Sequence, residues 1–339
     1  MNNDIRNILC FFIYLMISFN SYATGIEKTT YSIRRDMQLF SVAKIDYLAQ
    51  TDPFLFVSLS DVIPYGGNDE NIQYIPEKNL TDSHQYQYSK RQYLITKPYR
   101  ANLMKDLGLS ENDQVFIYDY ALNRLIMFKI SELKALAVID LLSYQQNGPF
   151  YGYQYMLGFA ITPPKAFDPA TTLVYFGKQN PFAQQKLTLL KWEKIDNQRF
   201  PKTNDFEVDY SKPIKYLLDR ITFLANANGL RYLVQYYQNS QRLIIEDSKA
   251  NIIADFIHVV DENNDLWFLN GNYNGIYYTK QWSGYLFENQ SLVVFGFERP
   301  LSGCPTINFI NPSYDRLVIN CDYRHLQPMK DLKFKKTDQ

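Results

Sequence analysis

The chain has 339 residues, with 35 Lys plus Arg against 35 Asp plus Glu, a hydrophobic share of 46% and a charged share of 21%. Formal neutrality argues against a nucleic-acid-binding role, because affinity for a polyanion comes largely from an excess of cations. The apolar share, uninterrupted by long Gly/Ser, Pro-rich or single-charge tracts, excludes a disordered chain.

The amino terminus reads as a cleaved secretory signal. A short polar stretch with the cation Arg6 precedes the apolar run Ile8-Leu9-Cys10-Phe11-Phe12-Ile13-Tyr14-Leu15-Met16-Ile17-Ser18-Phe19, and small residues follow at Ser21 and Ala23. The run is shorter than the roughly 20 residues a membrane-spanning helix needs, and no later stretch reaches that length. Cleavage after Ala23 removes Cys10 and leaves 316 of the 339 residues, with formal neutrality unchanged. The expected organisation is a signal peptide over 1–23, a β-rich region over 24–330 as one domain or two with a boundary near 200–229, and a polar tail over 331–339.

In chain order, a strand is expected over 54–59 and a short helix over 102–107, followed by strands over 115–120 and 124–130. A helix is predicted over 131–142, where Ser131 can cap the first turn and Leu133, Leu136, Ala137, Ile139 and Leu141 fall near helical spacing. Strands follow over 154–161 and 173–176. A further helix is predicted over 214–227, with Pro213 at its entry and Gly229 just past its exit. From Leu230 onward short runs rich in Tyr, Val, Ile and Phe predict strands over 230–237, 242–246, 252–260, 266–269, 276–280 and 292–297.

The last two runs, 306–310 and 315–320, form a hairpin around Asn311-Pro312-Ser313-Tyr314. Symmetry about Pro312 and Ser313 sets Thr306 opposite Ile319 and Cys304 opposite Cys321. Facing residues lie roughly 4.5–5.5 Å apart at Cα, within bridging range. These are the only cysteines left after export to an oxidising compartment, so a Cys304–Cys321 disulfide is expected. Closing such a loop contributes about 3 kcal/mol. A redox-active pair lacks its Cys-x-x-Cys spacing.

Strands at such short intervals, without a helix between most of them, predict a mainly β protein, propeller-like or sandwich-type, with a few short helices. A polar-Arg-Leu-apolar pattern recurs at Asn123-Arg124-Leu125, Gln241-Arg242-Leu243 and Asp315-Arg316-Leu317, at separations near multiples of a blade-sized period. The fragment Val260-Asp261-Glu262-Asn263-Asn264-Asp265-Leu266-Trp267-Phe268-Leu269, with Gly275-Ile276-Tyr277 after it, resembles the blade hairpins of sensor-type β-propellers, and the resemblance implies that fold. It departs in having Asn264 where a turn glycine is usual. The segment from Arg100 to Val115 resembles the helix-turn-strand of swapped-hairpin transition-state regulators. Those act on DNA in the cytoplasm, against the export signal and the neutral charge, so the segment is read as a helix-to-strand connection.

No chemistry-bearing motif stands out. The three histidines, His84, His258 and His325, neighbour no other histidine or cysteine, and no His-Glu-x-x-His, nucleophile elbow or phosphate-cradling glycine loop occurs. Asp261-x-Asn263-x-Asp265 copies half a calcium loop, but Leu266 takes the glycine position and Asn272 the bidentate Glu position. No metal or cofactor is therefore expected. Carboxylate-pair glycosidases leave no local signature, and Asp119, Asp209 and Asp261 are the acidic candidates.

What remains is 28 Tyr and 23 Phe. Tyrosine is amphipathic and enriched where proteins meet partners, though it is also a good strand residue. The clusters are Tyr86/Tyr88/Tyr93, Phe150/Tyr151/Tyr153/Tyr155, Tyr236/Tyr237 and the turn-rich set Tyr273, Tyr277, Tyr278, Trp282 and Tyr285, the last being the candidate partner-binding residues. The expected function is an exported, non-enzymatic protein-binding protein of the bacterial periplasm, of the inhibitor or immunity type against a toxin. The alternatives are a carbohydrate-active enzyme or sugar-binding protein of the envelope, and an envelope assembly component.

Overall fold

The computed structural model describes residues 37–321 apart from 49–50, 64–73, 76–78, 81–85, 89, 146–148, 163–166, 203–219, 238–239, 260–263, 267–268, 270–279 and 301–304. The expected class is observed: the protein is mainly β, with two α-helices, Tyr99–Asp106 and Leu141–Tyr144, among the described residues. No helix there is long and apolar enough to cross a membrane. The signal-peptide reading falls outside the described residues.

A nine-stranded sheet organises the fold. Its order is Thr188–Leu189, Trp282–Gly284, Val293–Phe295, Thr306–Phe309, Leu317–Asn320, Leu39–Ser41, Thr172–Gly177, Gln114–Asp119 and Arg124–Lys129. Its single parallel pairing joins the first strand of the described chain to the last, Leu39 lying opposite Ile319. One half faces a five-stranded sheet of Ala43–Ile45, Phe54–Ser58, Tyr155–Ile161, Lys134–Ile139 and Gln92–Leu94. Between them Phe40, Val115, Ile117, Val174 and Phe176 pack with Phe56, Ala137, Leu157 and Phe159 in one core. The helix Tyr99–Asp106 adds Leu103 and Met104 to it, and Gly108, at φ +64°, supplies the left-handed turn after the helix.

The other half of the nine-stranded sheet packs on an antiparallel meander, Glu193–Ile195, Ile221–Ala227, Leu230–Tyr237, Ser240–Glu246 and Ile252–Val259. Alternation sets Tyr232, Val234 and Tyr236 against Val294 and Phe297 in a second core, while Leu233 turns to the opposite face beneath Phe200. These sheets are not equivalent four-stranded blades. Arg124 and Arg242 do begin or lie in returning hairpin strands, but they belong to different sheets, so the sequence echo marks hairpin returns.

Two predicted helices are corrected. The 131–142 run forms a 3₁₀ turn, Ile130–Glu132, and then a strand, Lys134–Ile139, in which Ala135 through Ile139 are all buried. A strand covered on both faces is an unbroken apolar run, and spacing alone cannot separate it from a buried helix. Opposite it, Phe159 faces Ala135 and Leu157 faces Ala137, so the small residues accommodate the large ones. The described end of the 214–227 run is likewise a strand, Ile221–Ala227. Asn228 and Gly229, at φ +54° and +74°, form a two-residue hairpin turn to Leu230–Tyr237. Asn-Gly with both residues left-handed is the favoured hairpin connection, and here it mimics a helix stop.

The carboxy-terminal hairpin forms with a one-residue shift. Thr306 faces Val318 and Ile307 faces Leu317, where symmetry predicted Thr306 opposite Ile319. The Asn311 side chain accepts from Ser313 N at 2.9 Å and its carbonyl from Tyr314 N at 3.2 Å, which makes the turn asymmetric about Pro312 and Ser313. Cys304 lies outside the described residues, and Cys321 is buried.

Candidate functional site

The carboxy-terminal aromatic set divides. Trp282 is buried in strand Trp282–Gly284, its ring edge-on to Tyr120 at 5.4 Å, so it serves the core. Tyr285, three residues on, is 46% exposed. It borders a shallow groove of about 290 Å³ with Ala183, Gln185, Phe287, Glu288 and Asn289. The groove forms where two loops are tied by Ala183 N to Leu286 O and Glu288 N to Pro181 O, both at 3.0 Å. Tyr273, Tyr277 and Tyr278 lie outside the described residues.

A more developed surface surrounds the end of strand Lys134–Ile139. Asp140 is buried, and its carboxylate accepts from Ser143 N at 2.9 Å, capping the short helix Leu141–Tyr144. Gln154 then locks the return segment: its amide donates to Ser143 Oγ at 2.8 Å, its side-chain oxygen accepts from Tyr151 N at 2.6 Å, and its carbonyl accepts from Asp140 N at 2.9 Å. This buried polar network fixes a segment whose apolar side chains point outward, Leu142 being 50% and Tyr153 59% exposed. The Tyr151 and Tyr153 rings stack at 5.7 Å and 7°.

On the opposite side of the same strand end, the Arg91 carbonyl accepts from Ile139 N at 2.9 Å. The Arg91 guanidinium carbon sits 4.1 Å from the Tyr144 ring centroid. Tyr144 is braced edge-on by Tyr47 at 5.2 Å, whose hydroxyl donates to Ile139 O at 2.9 Å. Strand Phe150–Tyr151 also pairs with Tyr86–Tyr88, Phe150 facing Tyr88, so two of the tyrosine clusters meet in one small sheet. Arg91, Leu142 and Tyr144 carried no sequence signal as site residues, and Asp140 of the Asp140–Ser143 cap fell inside the helix predicted over 131–142, the cap's partner Gln154 coming from a distant turn.

His258 is buried in a polar row that crosses the second core. Tyr236 faces Gln241, and Gln241 faces His258, across three meander strands. Gln241 Nε2 donates to the Tyr236 hydroxyl at 2.7 Å, and His258 Nδ1 lies 2.5 Å from Glu298 Oε1. Glu298 Oε2 accepts from Thr306 Oγ1 at 2.9 Å, which ties the meander to the carboxy-terminal hairpin. The His258 ring stacks between Phe256 and Phe297. Gln241 Oε1 and His258 Nε2 are buried without a partner among the described residues. His84 and His325 lie outside them.

The His258 hydrogen bond, opposed by burial, holds the Glu298 carboxyl below the ordinary carboxylate range. A carboxylate whose folded-state pKa is depressed stabilises the protein above its unfolded pKa, and that contribution is lost as pH falls through the folded value. The urea midpoint of the wild type should therefore fall between about pH 5 and pH 3 more steeply than that of Glu298→Gln. Parallel falls in the two proteins would contradict this.

Of the acidic candidates, Asp119 falls among the described residues. Asp119 is fully buried, and its Oδ1 accepts from Ala121 N, Leu122 N and Thr171 Oγ1, each at 3.1 Å, so it shapes the hairpin turn that precedes strand Arg124–Lys129. Burial first, and the Asp119 charge second, push the neighbouring Tyr118 phenol up to about 12. Asp209 and Asp261 lie outside the described residues, while Asp265 of the calcium-loop fragment is placed in strand Asn264–Leu266, opposite Arg299. Comparison of the chain with protein-family models, with curated proteins and with solved structures returns no match.

Proposed function

We propose that this chain is an exported, non-enzymatic binding protein of the bacterial cell envelope whose partner is another protein, in the manner of an inhibitor or immunity protein against a toxin. The reading is supported above all by the segment Leu141–Gln154. A buried hydrogen-bond network there holds exposed Leu142 and Tyr153 in a set geometry, Tyr153 stacked on Tyr151, while Arg91 stacks on Tyr144 across the same strand end. Interfaces are enriched in Tyr and Arg, and anchors that are rigid before binding lose less entropy on association. The Tyr285 groove is a second, smaller contact region. Sugar binding is the alternative, favoured by the near-parallel Tyr151 and Tyr153 rings.

The test is capture from envelope extract by immobilised mature protein, compared with Leu142→Ala and Tyr153→Ala. Truncating a central anchor costs about 2 kcal/mol or more, roughly a thirtyfold loss of affinity. Retention of the same partner at wild-type strength by both variants would remove the surface from the account.

Export and the disulfide belong to the same proposal and are read by one experiment. Protein recovered from the periplasm should begin at Thr24 and take up no alkylating label on Cys304 or Cys321 until it is reduced. Two labelled thiols before reduction, or a mass retaining residues 1–23, would count against it.

A further inference from the structure

We propose that the surface at Arg91 receives a carboxylate from the protein partner, an acidic side chain set beside an apolar residue. The inference rests on the binding reading and adds to it the chemistry of what is bound.

Arg91 is exposed, and its backbone is anchored by the bond from Ile139 N to its carbonyl. Its guanidinium lies over the Tyr144 ring, and its N–H donors make no side-chain hydrogen bond among the described residues, which leaves them for a bidentate acceptor. Other arginines of the sheets have such an acceptor within the chain: Arg231 has Glu246 at 3.1 Å and Arg242 has Asp255 at 2.6 Å. Among the described residues no carboxylate lies within ion-pair distance of Arg91. The nearest acid in sequence after the strand, Asp140, is buried and committed to the Ser143 amide.

The neighbours define the rest of the ligand. Leu142, on the same short helix as Tyr144, adds an exposed apolar side chain to the region. A cation held over an aromatic ring, with an exposed apolar side chain on the helix that carries the ring, complements an acidic residue followed or preceded by a hydrophobic one. Because the guanidinium is already restrained by Tyr144, less rotamer freedom is lost on binding.

Two end-blocked, fluorescein-labelled peptides test this with the mature full chain: Gly-Glu-Leu-Glu-Phe-Glu-Gly and its counterpart with Gln at each Glu. Fluorescence anisotropy should show the acidic peptide bound at least about tenfold more tightly, as one charge-assisted hydrogen bond implies, and the preference should shrink in high salt. Arg91→Gln should bring the two peptides to within about twofold, while Arg91→Lys keeps part of the preference. Leu142→Ala should weaken both peptides alike. An unchanged acidic preference in folded Arg91→Gln overturns the proposal, as does equal or undetectable binding of the two peptides by the wild type. Either failure leaves the capture experiment with Tyr153→Ala as an independent judge of the binding reading.

Discussion

Gly158→Ala should be the most damaging single methyl group added to this protein, lowering stability by about 3 kcal/mol or more. Gly158 lies in the middle of strand Tyr155–Ile161, between Ser58 and Leu136 in the five-stranded sheet. A Cβ built there would lie 1.9 Å from Val57 O, 2.9 Å from Val57 C and 3.0 Å from Phe56 Cζ. The first two are backbone atoms of the adjacent strand, which cannot move without breaking the ladder it shares with Tyr155–Ile161. Strain therefore passes into the sheet that carries the main core. Domains have only about 5–15 kcal/mol in total, so the variant should be expressed poorly or unfold at a clearly lower urea midpoint. A loss under about 1 kcal/mol would show that the sheet yields at little cost.

Removal of Arg100 should cost a similar amount, about 3 kcal/mol. Arg100 is largely buried and makes four hydrogen bonds, to Glu111 Oε1 and Oε2 at 2.7 Å each, to Leu133 O at 2.8 Å and to Ile130 O at 2.7 Å. It joins the helix Tyr99–Asp106 to the 3₁₀ turn that opens strand Lys134–Ile139, while stacking over Phe159 at 5.5 Å. Arg100→Ala removes the guanidinium donor from Leu133 O and leaves Ile130 O with Leu133 N alone, and leaving a buried group unsatisfied costs about 1–3 kcal/mol. The Arg100 hydrogen bonds also hold the Glu111 carboxyl below its ordinary range. That part of the contribution is present at neutral pH and is lost as pH falls through the lowered value. Lysine at this position should restore less than half of the stability, because one ammonium cannot span the bidentate pair and both carbonyls. Full rescue by Arg100→Lys in urea unfolding would mean that charge alone matters here.

The same residues explain what could be read from the sequence. Strand Leu230–Tyr237 was legible end to end because its faces differ, Arg231 and Gln235 on one and Tyr232, Val234 and Tyr236 on the other. The strand at Lys134–Ile139 was not, since both its faces are buried and period-two alternation disappears. Asn228-Gly229 was visible but ambiguous: glycine after an apolar run ends a helix or turns a hairpin, and only the pairing partner decides. Register in the carboxy-terminal hairpin depended on which Asn311 atoms the turn engages, a choice that composition does not specify. The aromatic content did not say which rings pack inside: Trp282 and Tyr285, three residues apart, fall inside and outside the core. Arg91 gained meaning only from Tyr144, 53 positions away.

On the proposed reading the protein binds a partner and does not turn over a substrate. The measurement that bears on it most directly is the envelope-capture and protection assay applied to folded Leu142→Ala, Tyr153→Ala, Tyr285→Ala and His258→Gln variants in parallel. Binding energy concentrates in a few aromatic anchors, whereas loss of one catalytic group lowers a rate by orders of magnitude. The Leu142 and Tyr153 variants should lose the partner and protection, while His258→Gln, with native circular dichroism, should keep both. Complete loss of activity in folded His258→Gln, with the aromatic variants unaffected, would contradict that reading and make the His258–Glu298 pair the centre of an enzyme.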